Sequence, residues 1–359
     1  MNYSLRRQKA VGLLKRLDLD ALVLCQPENI RYLCGFTGTD GALIVSAEQL
    51  VFLTDSRYTT QACTEVVADK IEEYWVKSDG VIAVLSSHAI KRVGFEAGLT
   101  VEAFNDLRDK GEDDWQWQHF KDEIQSLRLH KSEEEIHLIS AAAELNLAGF
   151  EEIIPMLRPG VSESEISLAL EFAMRRRGAE EKAFDIIVAS GERGAMPHGV
   201  ASDKSLVEGE MVTIDFGCRC SGYHSDETVT LAVGRISDEL RKIFDTVLEA
   251  HDRALAAVVP GIALSELDRI ARDHIGICGY SEYFGHGLGH GVGLEIHEAP
   301  VVSSRSKTVA EAGMIFTVEP GIYVPGVGGV RIEDMVLVTA DGHQVLTKIP
   351  KTFRNILLR

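Results

Sequence analysis

Residues 285–298 have the sequence GHGLGHGVGLEIHE, in which five glycines and three histidines form one short run. Glycine at this density removes side chains and permits backbone conformations that other residues avoid, so another group is expected to approach the chain closely here. The imidazoles of His286, His290 and His297 are candidates for binding a metal ion or polarising a substrate. A flexible glycine loop with incidental histidines fits the same run, so the choice depends on partners elsewhere in the chain.

The composition is that of an acidic globular protein. The 359 residues are 45% hydrophobic and 26% charged, and the chain is long enough for two domains. The formal net charge is −18, so the surface should repel phosphate backbones and anionic lipid headgroups. No apolar run reaches the roughly 20 residues that span a bilayer. We therefore expect neither nucleic acid nor a membrane as a partner.

The N-terminal residues and the cysteines indicate the compartment. The first twenty residues are charged throughout and lack the apolar segment of a secretory signal. Six cysteines are scattered along the chain, and the one close pair, Cys218 and Cys220, has no second pair with which to bind zinc. Free thiols in a reducing compartment are the simpler interpretation. The expected location is the cytoplasm.

Residues 1–129 alternate between short apolar runs and helical patterns, which favours an α/β domain. Residues 5–17 show an apolar face at helical spacing, and residues 21–25 (ALVLC) predict a buried strand that stops before Pro27. Further strands are predicted at 42–45, 50–53, 71–76, 81–85 and 92–95, and further helices near 57–68 and 100–110.

A second domain is predicted to begin near residue 130. Ser132 and Glu135 form the S-x-x-E pattern of a capping box, which opens a helix. Apolar residues then recur at helical spacing as far as Phe150. The predicted domains are therefore 1–129 and 130–359.

The second domain contains two matching halves. Each half has a periodic helix, a Pro-Gly turn, a second helix, a histidine, a strand that ends in an acid, and another strand that carries an acid. The matched positions are Pro159 and Pro260, His198 and His297, Asp215 and Glu319, and Asp226 and Glu333. Two repeats are too few for a solenoid, so the halves are expected to form one sheet with a pseudo-two-fold axis.

Strand alternation predicts where the acids of the first half point. In residues 211–216 the larger apolar side chains alternate, which places Asp215 on the opposite face. In residues 224–231 the polar side chains alternate, so that Asp226 shares a face with Thr228. Both acids are thus expected on the polar faces of neighbouring strands.

The second half offers matching acids. Glu319 ends an almost wholly apolar strand. In residues 329–338, interpreted as one strand, Arg331 and Glu333 share a face. Spacing alone leaves open whether Glu333 or its neighbour Asp334 joins the other acids.

Four carboxylates at the ends of apolar strands would repel one another and favour protonation unless cations were bound. Two divalent ions would balance four negative charges, and His290 would add a neutral nitrogen ligand. Metal ions paired at about 3.5–4 Å can share a water, lower its pKa and clamp a substrate oxygen. The acids and His290 together predict a dinuclear metal site.

Residues 198–334 resemble the pita-bread metallopeptidases, a group that includes methionine aminopeptidase, prolidase and Xaa-Pro aminopeptidase. The matching motifs are DFG at 215–217, GYHSDET at 222–228, HGLGHG at 286–291, TVEPGIY at 317–323 and RIED at 331–334. In this order the motifs are highly specific to the group.

The resemblance implies a role for each matched position. The implied ligands of the two metal ions are Asp215, Asp226, His290, Glu319 and Glu333, which selects Glu333 over Asp334. His198 and His297 would contact the substrate and stabilise the tetrahedral intermediate, and Glu319 would also carry the proton of a metal-bridging hydroxide. The substrate pocket would be lined by His286, Arg331 and Tyr323.

Two further segments resemble the creatinase-type N-terminal domain of the proline-specific members. They are NIRYLCGFTGTDG at 29–41 and TDSRY at 54–58. The expected fold is therefore α+β, with a creatinase-like α/β domain followed by a pita-bread domain of duplicated α/β halves. The Asp-Ser-Arg-Tyr motif favours a Xaa-Pro aminopeptidase over a prolidase, which cleaves Xaa-Pro dipeptides.

The function expected from the resemblance is hydrolysis of the Xaa-Pro bond at the N-termini of proline-containing peptides. Oxygen-rich ligation favours Mn²⁺, with Co²⁺ or Zn²⁺ as alternatives, and relatives suggest a homodimer. The alternatives are a prolidase, a non-catalytic pita-bread binding protein or a creatinase, and five filled ligand positions argue against the last two. One departure is Thr228-Val229-Thr230, where many relatives have Thr-Arg-Thr. Alternation predicts that this middle position faces outward.

Overall fold

The structure is a computed structural model that describes residues 1–88, 90–120 and 122–357. Its chain divides into two compact units, Met1–Arg128 and Leu129–Arg359. This division lies one residue from the boundary expected from the capping box. No helix in the described ranges is both long and apolar enough to cross a membrane.

The first unit is built around one six-stranded sheet. Its strands are β1 (Ala21–Leu24), β2 (Ala42–Ser46), β3 (Leu50–Thr54), β4 (Lys70–Glu73), β5 (Arg92–Glu96) and β6 (Gln116–Phe120). They lie in the order β4-β3-β2-β1-β5-β6, and β1 pairs antiparallel with β2 but parallel with β5. The helices are α1 (Tyr3–Leu17), α2 (Pro27–Cys34), α3 (Thr59–Glu65), α4 (Lys77–Ser86), α5 (Val101–Lys110) and α6 (Asp122–Arg128). The predicted α/β class of this unit is confirmed.

The strand predicted at residues 81–85 is wrong, because these residues lie in helix α4. Val81, Val84 and Leu85 are buried, whereas Ala83 is exposed. Burial at positions i, i+3 and i+4 is helical, and a short apolar run alone does not distinguish a strand from a buried helix. Strand β4 is also shorter than the predicted 71–76, and β6 had no counterpart among the predicted strands.

The second unit has two halves of similar order. The first half contains α7 (Glu133–Ile153), α8 (Glu163–Arg176), β7 (Glu181–Lys182), β8 (Ile187–Ser190), β9 (Met211–Phe216), β10 (Cys218–Cys220), β11 (Tyr223–His224) and β12 (Glu227–Ala232). The second half contains α9 (Asp238–Ala256), α10 (Leu264–Ile277), β13 (Gly289–Gly291), β14 (Glu298–Val302), β15 (Ile315–Val318), β16 (Gly321–Val324), β17 (Gly328–Arg331), β18 (Asp334–Val338) and β19 (His343–Val345). The predicted capping box at the start of α7 is present, with Ser132 and Glu135 each bonded to the other's backbone N–H.

Equivalent hydrogen bonds support the duplication. Gly160 N donates to Leu206 O at 2.9 Å, and Gly261 N donates to Ala310 O at the same distance. Both glycines follow proline and have a positive φ, +90° for Gly160 and +93° for Gly261. Each Pro-Gly turn therefore needs the left-handed conformation that glycine adopts without strain.

The two halves do not form the single sheet that the sequence suggested. One sheet has the order β12-β9-β8, and a separate five-stranded sheet has the order β14-β13-β15-β18-β19. Their edges meet where Glu333 N donates to Thr228 O at 3.2 Å. The Thr230 hydroxyl bonds to both Arg331 O and Arg331 N, so a side chain takes the place of a continued backbone ladder. Two hydrophobic cores form, each built mainly from one half, although Met211 of β9 packs in the core of the second half.

Candidate active site

One cavity of about 840 Å³ in the second unit contains every site residue expected from the sequence. These residues are His198, Asp215, Asp226, His286, His290, His297, Glu319, Tyr323, Arg331 and Glu333. Apolar residues, including Ile187, Val200 and Val301, also line the cavity. The structure thus brings together residues separated by up to 135 positions.

Strand ends deliver the acids to this cavity. Asp215 is the penultimate residue of β9, and Asp226 directly precedes β12. Glu319 directly follows β15, and Glu333 directly precedes β18. The ends of strands lie where a side chain can leave the hydrophobic layer and reach a cleft, whereas a mid-strand acid would remain buried between packed faces.

The stretch 329–338 is not one continuous strand. It breaks between β17, which ends at Arg331, and β18, which begins at Asp334. Glu333 lies in this break and donates its own N–H to Thr228 O of the first half. The break therefore places Glu333 at the meeting point of the two halves.

The packing of neighbouring strands explains two of the glycines in residues 285–298. A Cβ at Gly289 would overlap the carbonyl oxygen of Thr317, and a Cβ at Gly291 would overlap that of Ala299. The group that approaches the backbone at these two positions is thus a neighbouring strand. Glycine here lets β13 enter between β14 and β15 with His290 at its centre.

Asp226, His290 and Glu333 offer ligand atoms that all lie within 4.8 Å of one another. His290 Nε2 is 3.5 Å from Asp226 Oδ2 and 3.3 Å from Glu319 Oε1. A divalent ion at this position would have two or three carboxylates and one imidazole within reach, a set that suits Mn²⁺, Co²⁺ and Zn²⁺.

The hydrogen bonds of His290 prepare it to bind a cation. Its Nδ1 lies 3.1 Å from Gly291 O, a carbonyl that can only accept, which assigns the ring proton to Nδ1. The lone pair of Nε2 then faces the acids. Burial lowers the pKa of His290, so the ring is neutral at physiological pH. A neutral imidazole with a fixed tautomer is the form that metals bind.

One carboxylate oxygen of Asp215 is hydrogen-bonded, and the other has no partner among the described residues. Its Oδ2 accepts a hydrogen bond from Arg331 Nη2 at 2.5 Å. Its Oδ1 is buried and has no hydrogen-bond partner among the described residues. An unsatisfied buried carboxylate oxygen is costly, and a bound cation would satisfy it.

The other three acids are largely buried and lie close to one another, which disfavours their charged forms. Burial and the neighbouring carboxylates raise the pKa of Asp226 and of Glu333 well above its usual value, and burial also raises the pKa of Glu319. Divalent cations would relieve the repulsion and the desolvation together. These observations on Asp215, His290 and the acids agree that the residues present fit a divalent metal centre.

Two threonine hydroxyls orient the acids. Thr228 Oγ1 donates to Glu333 Oε2 at 2.6 Å, and Thr317 Oγ1 donates to Glu319 Oε1 at 3.0 Å. Thr317 Oγ1 also accepts the N–H of His290 at 3.1 Å. The sequence analysis did not assign these hydroxyls a role, although each lies two residues from an acid of its own half on the same strand face.

A chain of polar contacts links Arg331 to the histidine run. Arg331 Nη1 donates to the Tyr323 hydroxyl at 2.8 Å, and that hydroxyl lies 3.0 Å from His286 Nε2. Burial raises the pKa of Tyr323 to about 12, so it stays protonated and donates to His286. Burial disfavours the charged Arg331, but Tyr323 and Asp215 outweigh it and raise its pKa.

His297 and His198 line the same cavity as the acids. The rings of His297 and His290 have centroids 4.3 Å apart in an edge-to-face arrangement. Burial, followed by the adjacent His290, lowers the pKa of His297. The ring of His297 is therefore neutral and retains one N–H to donate.

Buried acids on the second helix of each half anchor the histidine loops, and the sequence analysis missed them. Glu163 is fully buried and accepts hydrogen bonds from Ser190 N and Ser202 N, on either side of His198. Asp268, also fully buried, pairs with Arg272, whose Nη2 donates to His286 O at 2.7 Å. A charged residue inside an amphipathic helix gives only a weak signal, because such residues usually face solvent.

The interpretation of Val229 as outward-facing is wrong. Val229 is only 3% exposed and packs in the hydrophobic core of the first half. Strand β12 is buried on both faces, one towards the cavity and one towards this core. Alternation assigned Val229 to the face opposite Thr228, but only packing shows that this face is buried.

Comparisons with known proteins identify the family of this chain. Metallopeptidase family M24 matches residues 137–340, and the creatinase/prolidase N-terminal domain matches residues 6–130. A Xaa-Pro dipeptidase from Pyrococcus horikoshii is 38% identical over 95% of this chain and 96% of its own length.

Solved structures give the same result. A Xaa-Pro dipeptidase from Bacillus anthracis superposes with a TM-score of 0.95 at 43% identity, covering 98% of this chain and 99% of its own. An X-Pro aminopeptidase from Thermotoga maritima superposes with a TM-score of 0.86 at 37% identity, covering 95% and 99%. The resemblance and the α+β fold expected from the sequence are confirmed: the chain is a peptidase that belongs to metallopeptidase family M24 and carries a creatinase/prolidase N-terminal domain.

Proposed function

We propose that this metallopeptidase removes the N-terminal residue of peptides whose second residue is proline, as a Xaa-Pro aminopeptidase. The observation that carries the proposal is the set of four carboxylates and the Nε2 lone pair of His290 in one cavity that apolar residues also line. Apolar lining residues such as Ile187, Val200 and Val301 suit a proline ring. The names of the similar proteins from Bacillus anthracis and Thermotoga maritima support proline specificity.

In this proposal five residues hold two divalent ions, and Mn²⁺ is the first choice for an oxygen-rich set, ahead of Co²⁺ or Zn²⁺. The residues are Asp215, Asp226, His290, Glu319 and Glu333. Two divalent ions supply Lewis-acid polarisation of the peptide carbonyl and lower the pKa of the attacking water. Arg331 donates a hydrogen bond to Oδ2 of Asp215, whereas the buried Oδ1 has no partner among the described residues and would be available as a ligand atom.

The side chains around this set manage protons and charge. Glu319, held by the Thr317 hydroxyl, takes a proton from the attacking water and delivers it to the proline nitrogen as the C–N bond breaks. The neutral His297 donates its N–H to the carbonyl oxygen as negative charge develops there, and His198 supports the same oxygen. Tyr323 and His286 shape the pocket through their mutual hydrogen bond.

Replacing His297 with Ala is expected to lower kcat for a Xaa-Pro peptide by about 100-fold, the usual cost of removing one donor to a developing oxyanion. Metal content should remain unchanged, because His297 is outside the proposed ligand set. Steady-state kinetics and metal analysis check both points. His130→Ala is the matched control, since His130 is partly exposed and lies outside the cavity. A kcat close to that of the wild type would exclude this role for His297.

The charges of the cavity favour a longer peptide over a dipeptide. Among the cavity-lining residues that the structure describes, Arg331 alone carries a permanent positive charge. Its N–H groups already donate to Asp215, Tyr323 and Pro197 O. The free carboxylate of a Xaa-Pro dipeptide would find no unoccupied Arg or Lys side chain among these described lining residues, whereas a continuing peptide carries no charge at that position.

A Xaa-Pro dipeptidase is the second candidate, favoured by the names of the relatives from Pyrococcus horikoshii and Bacillus anthracis. Comparing Ala-Pro-Ala, Ala-Pro amide and Ala-Pro distinguishes the two. We expect kcat/KM for Ala-Pro-Ala and for the amide to exceed that for Ala-Pro by about tenfold or more, since an unpaired charge in a desolvated site costs at least 1.4 kcal/mol. Preference for Ala-Pro over both would identify a dipeptidase, and hydrolysis of none of them would favour a non-catalytic binding protein.

A further inference from the structure

Two matched acid pairs lie at the meeting point of the halves. Asp226 and Glu333 line the cavity, and each is followed by a second acid, Glu227 or Asp334, that begins a strand. Successive side chains of an extended chain point to opposite faces, so the second acids lie behind the cavity. Glu227 is fully buried and Asp334 is 5% exposed. These two acids belong to no part of the proposed catalytic set.

One lysine pairs with both acids. The ammonium of Lys351 lies 2.6 Å from Glu227 Oε1 and 3.4 Å from Asp334 Oδ1, and its side chain is only 7% exposed. Glu227 comes from the first half and Asp334 from the second. Lys351 therefore connects the two halves directly behind the residues that face the cavity.

The segment that carries Lys351 runs from one half to the other. At its start Leu346 N donates to Met335 O of β18, and at its end Ile356 N donates to Ala232 O of β12. Between them Ile349 N donates to Glu227 Oε1 at 3.1 Å. Residues 346–356 thus form a strap across both strands, and Lys351 is anchored by backbone bonds on either side.

The site needs such a connection when no metal is bound. Carboxylate oxygens of Asp226 and Glu333 lie within 4.8 Å of each other at the junction of the halves, so the two groups repel each other when both are charged. Only one backbone bond, from Glu333 N to Thr228 O, is present between these two strand starts in the described chain. Repulsion between the two carboxylates would push the starts of β12 and β18 apart. The ion pairs of Lys351 with Glu227 and Asp334, on the side away from the cavity, oppose that movement.

We propose that Lys351 is a positioning residue for the metal centre, which holds Asp226 and Glu333 at the separation that divalent ions require by pairing with Glu227 and Asp334. The inference rests on the metal site of the proposed function but not on its peptide specificity. Partners of this kind behind metal ligands commonly change metal affinity by 10–100-fold when they are removed.

Titrating Mn²⁺ alone into the metal-free protein tests the proposal without a peptide. Lys351→Met should weaken Mn²⁺ binding by about 10–100-fold in isothermal titration calorimetry. Lys348→Met is the matched control, because Lys348 belongs to the same strap but is exposed, and it should bind Mn²⁺ as the wild type does. Asp226→Asn shows how much Mn²⁺ affinity is lost when a proposed direct ligand is removed, and so it also tests the proposed metal site.

A second variant separates positioning from simple stability. Lys351→Met removes the ionic partner of buried Glu227 and leaves Asp334 with His251 and Thr347 as partners, and this loss can unfold the chain. The triple variant Lys351→Met, Glu227→Gln, Asp334→Asn removes all three charges and keeps their shapes. Its melting temperature should approach that of the wild type, whereas its Mn²⁺ affinity should stay at least tenfold weaker. Two results would overturn the proposal. One is a Mn²⁺ affinity of the triple variant within twofold of the wild type. The other is tighter Mn²⁺ binding by Lys351→Met, which is expected if the lysine charge acts only by repelling the cation.

Discussion

Replacing Asp226 with Asn should abolish hydrolysis of Xaa-Pro peptides and, at the same time, stabilise the metal-free protein. The two effects have opposite signs because the same carboxylate is a proposed metal ligand and a source of repulsion. Asp226 is buried against Glu333, Asp215 and Glu319, and burial and these charges raise its pKa. An amide of the same shape removes the charge without opening a cavity.

The expected loss of kcat/KM is about 1,000-fold or more, equivalent to roughly 4 kcal/mol of transition-state stabilisation. The melting temperature of the second unit in EDTA should rise by a few degrees, since about 1 kcal/mol shifts the melting temperature of a domain of roughly 150–250 residues by roughly 2–4 °C. Activity assays and thermal melts of the same preparations measure both. Asp341→Asn, at an exposed position outside the cavity, should change neither. Retained activity would show that Asp226 is not a ligand, and a lower melting temperature would show that repulsion is not its dominant interaction.

The stability of the metal-free protein should also depend on pH through these acids. Burial first, and then repulsion from neighbouring carboxylates, raise the pKa of Asp226 and of Glu333, so the folded chain keeps protons that the unfolded chain loses near pH 4. Their contribution to stability is therefore complete below about pH 4 and is lost as the pH rises through the raised values. Bound divalent ions reverse the penalty, and each adds about 2.7 kcal/mol at a concentration 100 times its Kd.

The measurement is the difference in melting temperature with and without Mn²⁺ from pH 4.5 to 8. We expect this difference to widen steadily with pH in the wild type. Histidines with lowered pKa, such as His286 and His290, contribute the opposite slope, because they lose stability as the pH falls. The effect of the acids is therefore isolated by comparing the melting temperatures of the wild type and Asp226→Asn in EDTA. The melting temperature of the wild type should decrease relative to that of the variant as the pH rises. A constant difference between the two proteins would contradict the raised pKa of Asp226.

Periodicity predicted the parts of this protein that depend on neighbours along the chain. Alternation placed Asp215 and Asp226 on polar strand faces, and the Pro-Gly turns at residues 159–160 and 260–261 indicated the duplication. The strand predicted at residues 81–85 was wrong, because a short apolar run fits a strand and a buried helix equally well. Only packing against the sheet of the first unit distinguishes the two.

The residues that meet in the cavity were predictable from the sequence by two routes. Strand alternation put Asp215 and Asp226 on polar faces, and the resemblance to the pita-bread metallopeptidases implied Glu333 and the other site positions. The tertiary structure alone decided how they are held. It showed that Arg331 occupies one oxygen of Asp215 and leaves the other open, and that Val229 faces a core. It also paired Lys351 with Glu227, 124 residues away. Such contacts follow from the packing of whole elements, and no periodicity within the chain records which distant side chain fills the space behind a strand.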